Sequence, residues 1–188
     1  MMTDKGFEKI PKTAVCVYRG VLHDVYQWKQ EMFDGTERTF EAIRRNPSVT
    51  IIAVTNEQEI VAISEEQPRH GAYTTLPGGI AERDDLLAEA QRELLEETGY
   101  ASGDWELWTS IDVVNYSKLE WKSYFFIARG CRKIADPSTD PGEKIAVSTM
   151  NFDEFVGYVQ QPDFAIDFIK SAIANEAVYS QLKKLVSK

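Results

Sequence analysis

Residues 76–100 leave this chain few choices. They read Leu-Pro-Gly-Gly-Ile-Ala-Glu-Arg-Asp-Asp-Leu-Leu-Ala-Glu-Ala-Gln-Arg-Glu-Leu-Leu-Glu-Glu-Thr-Gly-Tyr. Pro77-Gly78-Gly79 signals a turn. The Leu, Ala, Glu, Gln and Arg that follow favour a helix over Leu86 to Glu97. Gly99 stands where a helix C′ glycine belongs. Inside the helix, Glu93, Glu96 and Glu97 fall at i, i+3 and i+4, so three like charges crowd one face. A pair of adjacent glutamates is usually a solvated face. Three that repel on one face are relieved by a divalent cation, and hard cations such as Mg²⁺ prefer carboxylate oxygens.

The spacing around that face carries more. Gly78, five residues, Asp84, seven residues, Arg92-Glu93-Leu94, one residue, Glu96-Glu97, one residue and Gly99-Tyr100 resembles the Nudix box. From average residue usage, its six identical fixed positions coincide by chance on the order of 10⁻⁷ per start site. The family pattern has Glu where this chain has Asp84. Counted from Gly79, the stretch to Arg92 is one residue short, so Asp84 or Asp85 takes the first acidic position.

The rest of the chain permits that reading. At 188 residues it suits one domain, and its hydrophobic and charged fractions, 43% and 27%, are ordinary for a globular chain. A net charge of −9 argues against a long nucleic-acid footprint. Phosphate substrates remain open, because bound metals invert local charge. Two cysteines, Cys16 and Cys131, suit a reducing compartment and make no zinc pattern. The opening residues lack the apolar core of a signal peptide, and no run reaches membrane-spanning length. The expected location is the cytoplasm, with no membrane or nucleic-acid partner.

Strands are expected over residues 13–19, 22–29 and 38–43, the last two joined at Asp34-Gly35. These form an N-terminal antiparallel layer over residues 1–46, part of the same domain, before a catalytic part over 47–188. Val49 to Val54 reads as a buried strand and Glu59 to Ser64 as its hairpin partner. Residues 65–71 read as a polar loop and Tyr73 to Leu76 as a short strand. After the box, strands are expected over residues 105–111, 121–129 and 145–150, with loops over 115–118 and 136–143. Residues 152–159, 162–174 and 176–186 read as amphipathic helices. The outcome is a mixed α/β sandwich, in agreement with the α/β/α fold that the resemblance implies. Beyond the box, the Gln-Pro-Arg loop before Leu-Pro-Gly-Gly and the acidic loop ending Gly142-Glu143-Lys144-Ile145 look like the ADP-ribose pyrophosphatase branch.

Hydrolysing a pyrophosphate requires water at phosphorus and charge relief on the bridging oxygen, which bound Mg²⁺, or Mn²⁺ in its place, provides. The resemblance implies Glu93, Glu96 and Glu97 as metal ligands. Arg92 precedes Glu96 by one turn and would orient it by a charge-assisted hydrogen bond. Gly78 and Gly79 allow close backbone approach around the site. Asp84 either orients a water or caps the helix. Glu143 is either an assisting ligand or base, as in the resembling branch, or a surface glutamate. Arg69 matches an arginine that meets phosphate or ribose there; Arg44 and Arg45 are weaker candidates. Trp28, Tyr73, Trp105, Trp108, Tyr116 and Trp121 are candidates for stacking a base, although strand aromatics usually serve the core. His23 and His70 have no catalytic partner nearby in sequence.

The leading expectation is a hydrolase of a nucleoside diphosphate linked to a sugar, ADP-ribose first. One departure concerns it: residues 112–121 carry no proline, where ADP-ribose hydrolases commonly have a Ser-Pro-Gly turn. Two other readings are a nucleoside-triphosphate-cleaning hydrolase and a module that binds nucleotide without cleaving it. The N-terminal layer argues against the first, and the intact glutamates against the second. Val15, Val17, Val21, Val25, Trp28 and Phe40 give that layer apolar faces, so a homodimer is expected.

Overall fold

The computed structural model describes residues 9–113, 118–139 and 141–187. The chain divides into two compact units. One takes the described residues of Met1–Ser48 and Ser110–Ser123, the other Val49–Thr109 and Tyr124–Lys188.

The first unit carries a four-stranded sheet. Strands β1 (Val15–Arg19), β2 (His23–Glu31) and β3 (Glu37–Arg45) are antiparallel neighbours, and β10 (Leu119–Glu120) pairs with β3 in parallel. The β2–β3 register runs unbroken from His23 opposite Arg45 to Glu31 opposite Glu37, closing at the Asp34-Gly35 turn. Charge is spent inside this sheet. Arg44 binds Glu120 at 2.5 Å and the Tyr26 hydroxyl at 3.1 Å, while Arg45 stacks 4.2 Å over Trp121. The layer is therefore not only N-terminal in sequence, since β10 completes its sheet.

The second unit holds the larger sheet, ordered β12 (Lys144–Met150), β5 (Ile60–Gln67), β4 (Ser48–Thr55), β11 (Lys122–Lys133) and β8 (Tyr100–Ala101). Three more strands join it: β6 (Gly71–Thr75) on β5, β7 (Gly78–Ile80) on β4 and β9 (Asp104–Asp112) on β11. β4 is the apolar run read as a buried strand, and residues 49–55 are buried throughout. Helix α1 (Leu86–Thr98) places Ala90 and Leu94 in a cluster with Val49, Ile51, Ala53, Val61 and Phe126. Burying a leucine stabilises by about 1.5–3 kcal/mol, which fixes which face of α1 turns inward. The helix begins at Asp85, whose side chain accepts from the Ala88 N–H, and ends at Gly99, whose N–H returns to Leu95 O. It is Asp85, not Asp84, that caps α1.

Helices α2 (Phe152–Val159), α3 (Asp167–Ala174) and α4 (Glu176–Val186) follow. A full capping box starts α2, with Asn151 and Glu154 each satisfying the other's backbone. The helix expected from Pro162 begins five residues later. The chain before it is drawn to the sheet: Thr74 N–H donates to Asp163 O at 3.1 Å and Ala165 N–H to Thr74 O at 2.9 Å. Among the described residues no helix is long and apolar enough to cross a membrane.

Candidate active site

The turn and the helix meet at two glycines. Gly78 has φ 154°, open to glycine alone, and a side chain there would strike the Val49 carbonyl of β4. Its N–H donates to Glu97 Oε2 at 2.8 Å. Gly79 makes room for a second carboxylate: a Cβ at this position would stand 2.5 Å from Glu93 Oε1. Glu93 and Glu97, one turn apart on α1, thus lie directly against the turn.

Burial shapes their charge. Glu97 is only 6% exposed. Loss of solvent pushes its carboxyl up to about 9, with Glu93, Glu65 and Glu143 adding to the rise and the Gly78 N–H opposing it. Glu93 is raised as well, by burial against the pull of Arg92. A carboxyl this reluctant to ionise in a polar pocket marks a place prepared for positive charge.

Arg92 is the hub of the helix. Its Nη1 donates to Glu96 Oε2 at 2.6 Å, and its Nη2 to Glu93 Oε1 at 2.5 Å and Glu89 Oε2 at 3.1 Å. Burial works against its charge, but Glu93 and its other carboxylates outweigh that and hold it protonated. Glu96 lies further out, its side chain 45% exposed.

Two elements bring further carboxylates. β5 continues through residues 65–67, which the sequence reads as loop, because both β6 and β12 bond to it. Glu65 is thereby buried opposite Tyr73, whose hydroxyl binds it; burial and that bond raise the phenol's pKa. Gln67 also donates to Glu65. The β12–β5 register sets Lys144 opposite Glu66, so half-buried Glu143 lies one residue beyond that pair. The preceding loop is tied to the helix end, where Ser138 N–H donates to Glu96 O at 2.7 Å.

The structure therefore gathers Arg92, Glu93, Glu97, Gly78, Gly79 and Glu143 around one end of α1. Asp84 is exposed in the loop before it. Arg69 sits exposed at the tip of the β5–β6 hairpin with φ 71°. Arg44 and Arg45 belong to the first unit, in the pairings already given. Trp105 and Trp108 pack edge-on against Phe126 and Phe125, as core aromatics do. Tyr116 lies outside the described residues. Glu65 and Glu89 were missed. Glu89 was legible, since it stands four residues before Glu93 on the same face; Glu65 was not, because Glu-Glu-Gln reads as loop without the flanking strands.

Among the described residues no three acidic or imidazole side chains form a ready-made metal cage. Each carboxylate is turned to its own partner: Glu97 to Gly78, Glu93 and Glu96 to Arg92. The donor set nonetheless fits a hard divalent cation. It consists of carboxylates, Glu97 buried and Glu93 half-buried and both raised in pKa, beside glycines that leave room for a close approach.

Fold and site together define the class of the Nudix-domain proteins. The NUDIX domain family model matches residues 44–170, most of the chain, and the chain belongs to that family. A solved structure described as an ADP compounds hydrolase shares the fold with a TM-score of 0.69, at 19% identity and covering 91% of each chain. The methanol dehydrogenase activator of Bacillus methanolicus is 27% identical over 134 residues, 70% of this chain and 72% of that protein.

Proposed function

We propose that this chain is a Mg²⁺-dependent hydrolase that cleaves the pyrophosphate of a nucleoside diphosphate linked to a sugar, ADP-ribose giving AMP and ribose 5-phosphate. The observation that carries it is the pair of half-buried Glu93 and buried Glu97, set against Gly79 and Gly78 in the C-terminal half of α1. The likeness to a hydrolase of ADP compounds supports the substrate class, as do Arg69 on the hairpin tip and Glu143 beside β12.

Glu93 and Glu97 would hold the cation, with Glu96 on the solvent side; Mn²⁺ would serve in place of Mg²⁺. Held there, the ion would polarise the phosphates and lower the pKa of bound water. The protein's own part is orientation. The Gly78 N–H fixes one oxygen of Glu97 and leaves the other to the site. Arg92 fixes Glu93 and Glu96 from behind. In this reading Glu143 would take a proton from water as it attacks phosphorus, and Arg69 would meet the substrate's phosphate or ribose. Small-molecule substrates suit the acidic chain, for which neither nucleic acid nor membrane is a proposed partner. We place the enzyme in the cytoplasm.

The test is a panel of ADP-ribose, sugar nucleotides, dinucleotides and nucleoside triphosphates incubated with Mg²⁺, products being separated by chromatography. AMP and ribose 5-phosphate from ADP-ribose are expected. Preferential release of pyrophosphate from triphosphates would replace this reading with the nucleotide-cleaning one. Binding without turnover would replace it with the non-catalytic one.

A further inference from the structure

Neither aspartate of the loop before α1 reaches Arg92. Asp84 is exposed, and Asp85 is spent on the N-cap, accepting from the Ala88 N–H at 3.1 Å. The carboxylate behind Arg92 comes from Glu89, inside the helix, which is 0% exposed. Its Oε2 accepts twice, from the Glu82 N–H at 3.0 Å and from Arg92 Nη2 at 3.1 Å. Its Oε1 is buried with no hydrogen-bond partner, and Arg83 Nε lies 3.7 Å away.

We propose that Glu89 is a positioning residue for hydrolysis: it locks the loop before α1 to Arg92 and, through Arg92, sets the directions of Glu93 and Glu96. The inference rests on the hydrolase reading above. A guanidinium is a rigid fork, so three carboxylates on its two ends leave it no freedom to swing. Arg92 Nη2 is shared by Glu89 and Glu93, which stand one turn apart on the same face of α1. Removing the Glu89 charge lets the fork turn toward Glu93 or Glu96, and both then lose their fixed direction. The same carboxylate closes the loop by holding the Glu82 amide.

Stability alone is a poor account of Glu89. Apolar residues of similar volume often stabilise a fold as well as, or better than, a buried charged group. Ala90 and Leu94 already supply the apolar contacts of α1. A fully buried glutamate with one oxygen unbonded is costly to retain, and what it provides is direction.

The experiment measures Glu89→Gln, Arg92→Lys and the double variant by steady-state kinetics, and measures Mn²⁺ binding by electron paramagnetic resonance without nucleotide. For Glu89→Gln, kcat should fall about 10-fold or more and the Mn²⁺ dissociation constant should rise about 10-fold, as outer partners of metal ligands usually require. KM should stay within about twofold, because the substrate contacts are untouched. The double variant should be no worse than the poorer single variant, since both act through one fork. Wild-type kcat and Mn²⁺ affinity in Glu89→Gln, or strictly additive losses in the double variant, would overturn the proposal. If Glu89→Gln does not fold, Glu89→Asp takes its place: it keeps the charge, is one methylene short of spanning Arg92 and the Glu82 amide, and should move the same quantities the same way. An inactive wild-type chain would count against the hydrolase reading instead, and the Mn²⁺ measurement would still decide the role of Glu89.

Discussion

The N–H of Gly78 and Oε2 of Glu97 meet at 2.8 Å across nineteen residues of chain. The same glycine is pressed onto the Val49 carbonyl. The turn is thus fastened to β4 on one side and to α1 on the other, and Glu97 cannot move without it. This bond favours the charged carboxylate, yet burial overrules it. The cation-free protein at neutral pH therefore holds Glu97 protonated.

Glu97→Gln keeps the shape and removes the titratable proton. A loss of at least roughly 10²-fold in kcat is expected, typical of removing an electrostatic or acid–base group. Circular dichroism should show the fold unchanged. Wild-type turnover at saturating Mg²⁺ would remove Glu97 from the site.

Stability of the chelator-treated protein should fall as pH rises. Glu97 titrates near 4.5 unfolded and at about 9 folded. Between these values the folded state binds the extra proton, so unfolding becomes easier with each rise in pH, by at most about 1.4 kcal/mol per unit. The contribution is complete below about 4.5 and gone above about 9. Glu97→Gln should flatten this slope and raise Tm at pH 8, at about 2–4 °C per kcal/mol for a chain of this size. Parallel pH profiles of wild type and variant in thermal melts would refute the buried-carboxyl account.

Gly79→Ala should damage the site and spare the fold. The added methyl meets the end of a flexible side chain, Glu93 Oε1 at 2.5 Å, so Glu93 moves and the backbone does not. Displacement of about 1 Å at a reacting centre can cost on the order of 10²-fold in rate. Gly78→Ala differs, because its clash is with the backbone of β4 and its φ is denied to alanine. It should lower Tm by several degrees. Thermal melts beside kinetics separate the two; equal losses of stability would contradict the assignment.

Glu143→Gln should lower kcat with little change in KM, if the carboxylate serves the reaction and not the binding of substrate. Steady-state kinetics across pH 6–9 check this, and the variant should also lose the limb of the profile that reports a base. Unchanged kinetics would return Glu143 to the surface.

The first sheet should hold two copies of the chain together. β1 is an edge strand, and Val15, Val17 and Tyr18 on it are all more than half exposed. Exposed apolar edges are prone to pair. Light scattering of the full-length protein at tens of micromolar should give a dimer mass, and Val17→Glu should halve it. A monomeric wild type would reject the dimer.

What the sequence made legible was what is local. α1 could be read from composition, spacing and its terminal glycine, and β4 from its unbroken apolar run. Misreadings arose where a distant partner overruled local preference. Glu65 lies in a strand because β6 and β12 flank it. The start of α3 was lost because Thr74 draws Asp163 and Ala165 to the sheet. The two-residue strands β8 and β10 exist only through their neighbours. In the site, the box residues could be named in advance. Glu89 could be placed on the Glu93 face by its spacing, but its two bonds, to Arg92 and to the Glu82 amide, could not, because no position in the pattern calls for an acid there.

Strand β10, within the second sequence segment of the first unit, completes a sheet begun far earlier at Val15, through two residue pairs, Leu119 with Ile43 and Glu120 with Arg44. The backbone consequently passes between the units at three places: after Ser48, after Thr109 and after Ser123. No single cut in the gene separates them. A fragment starting at Val49 would still carry a strand whose neighbour had been removed, with Glu120 deprived of Arg44. The first sheet is thus not a detachable appendage that recombination could add or discard in one step. Changes to its first half must remain compatible with an insertion lodged deep within the second unit's own sequence.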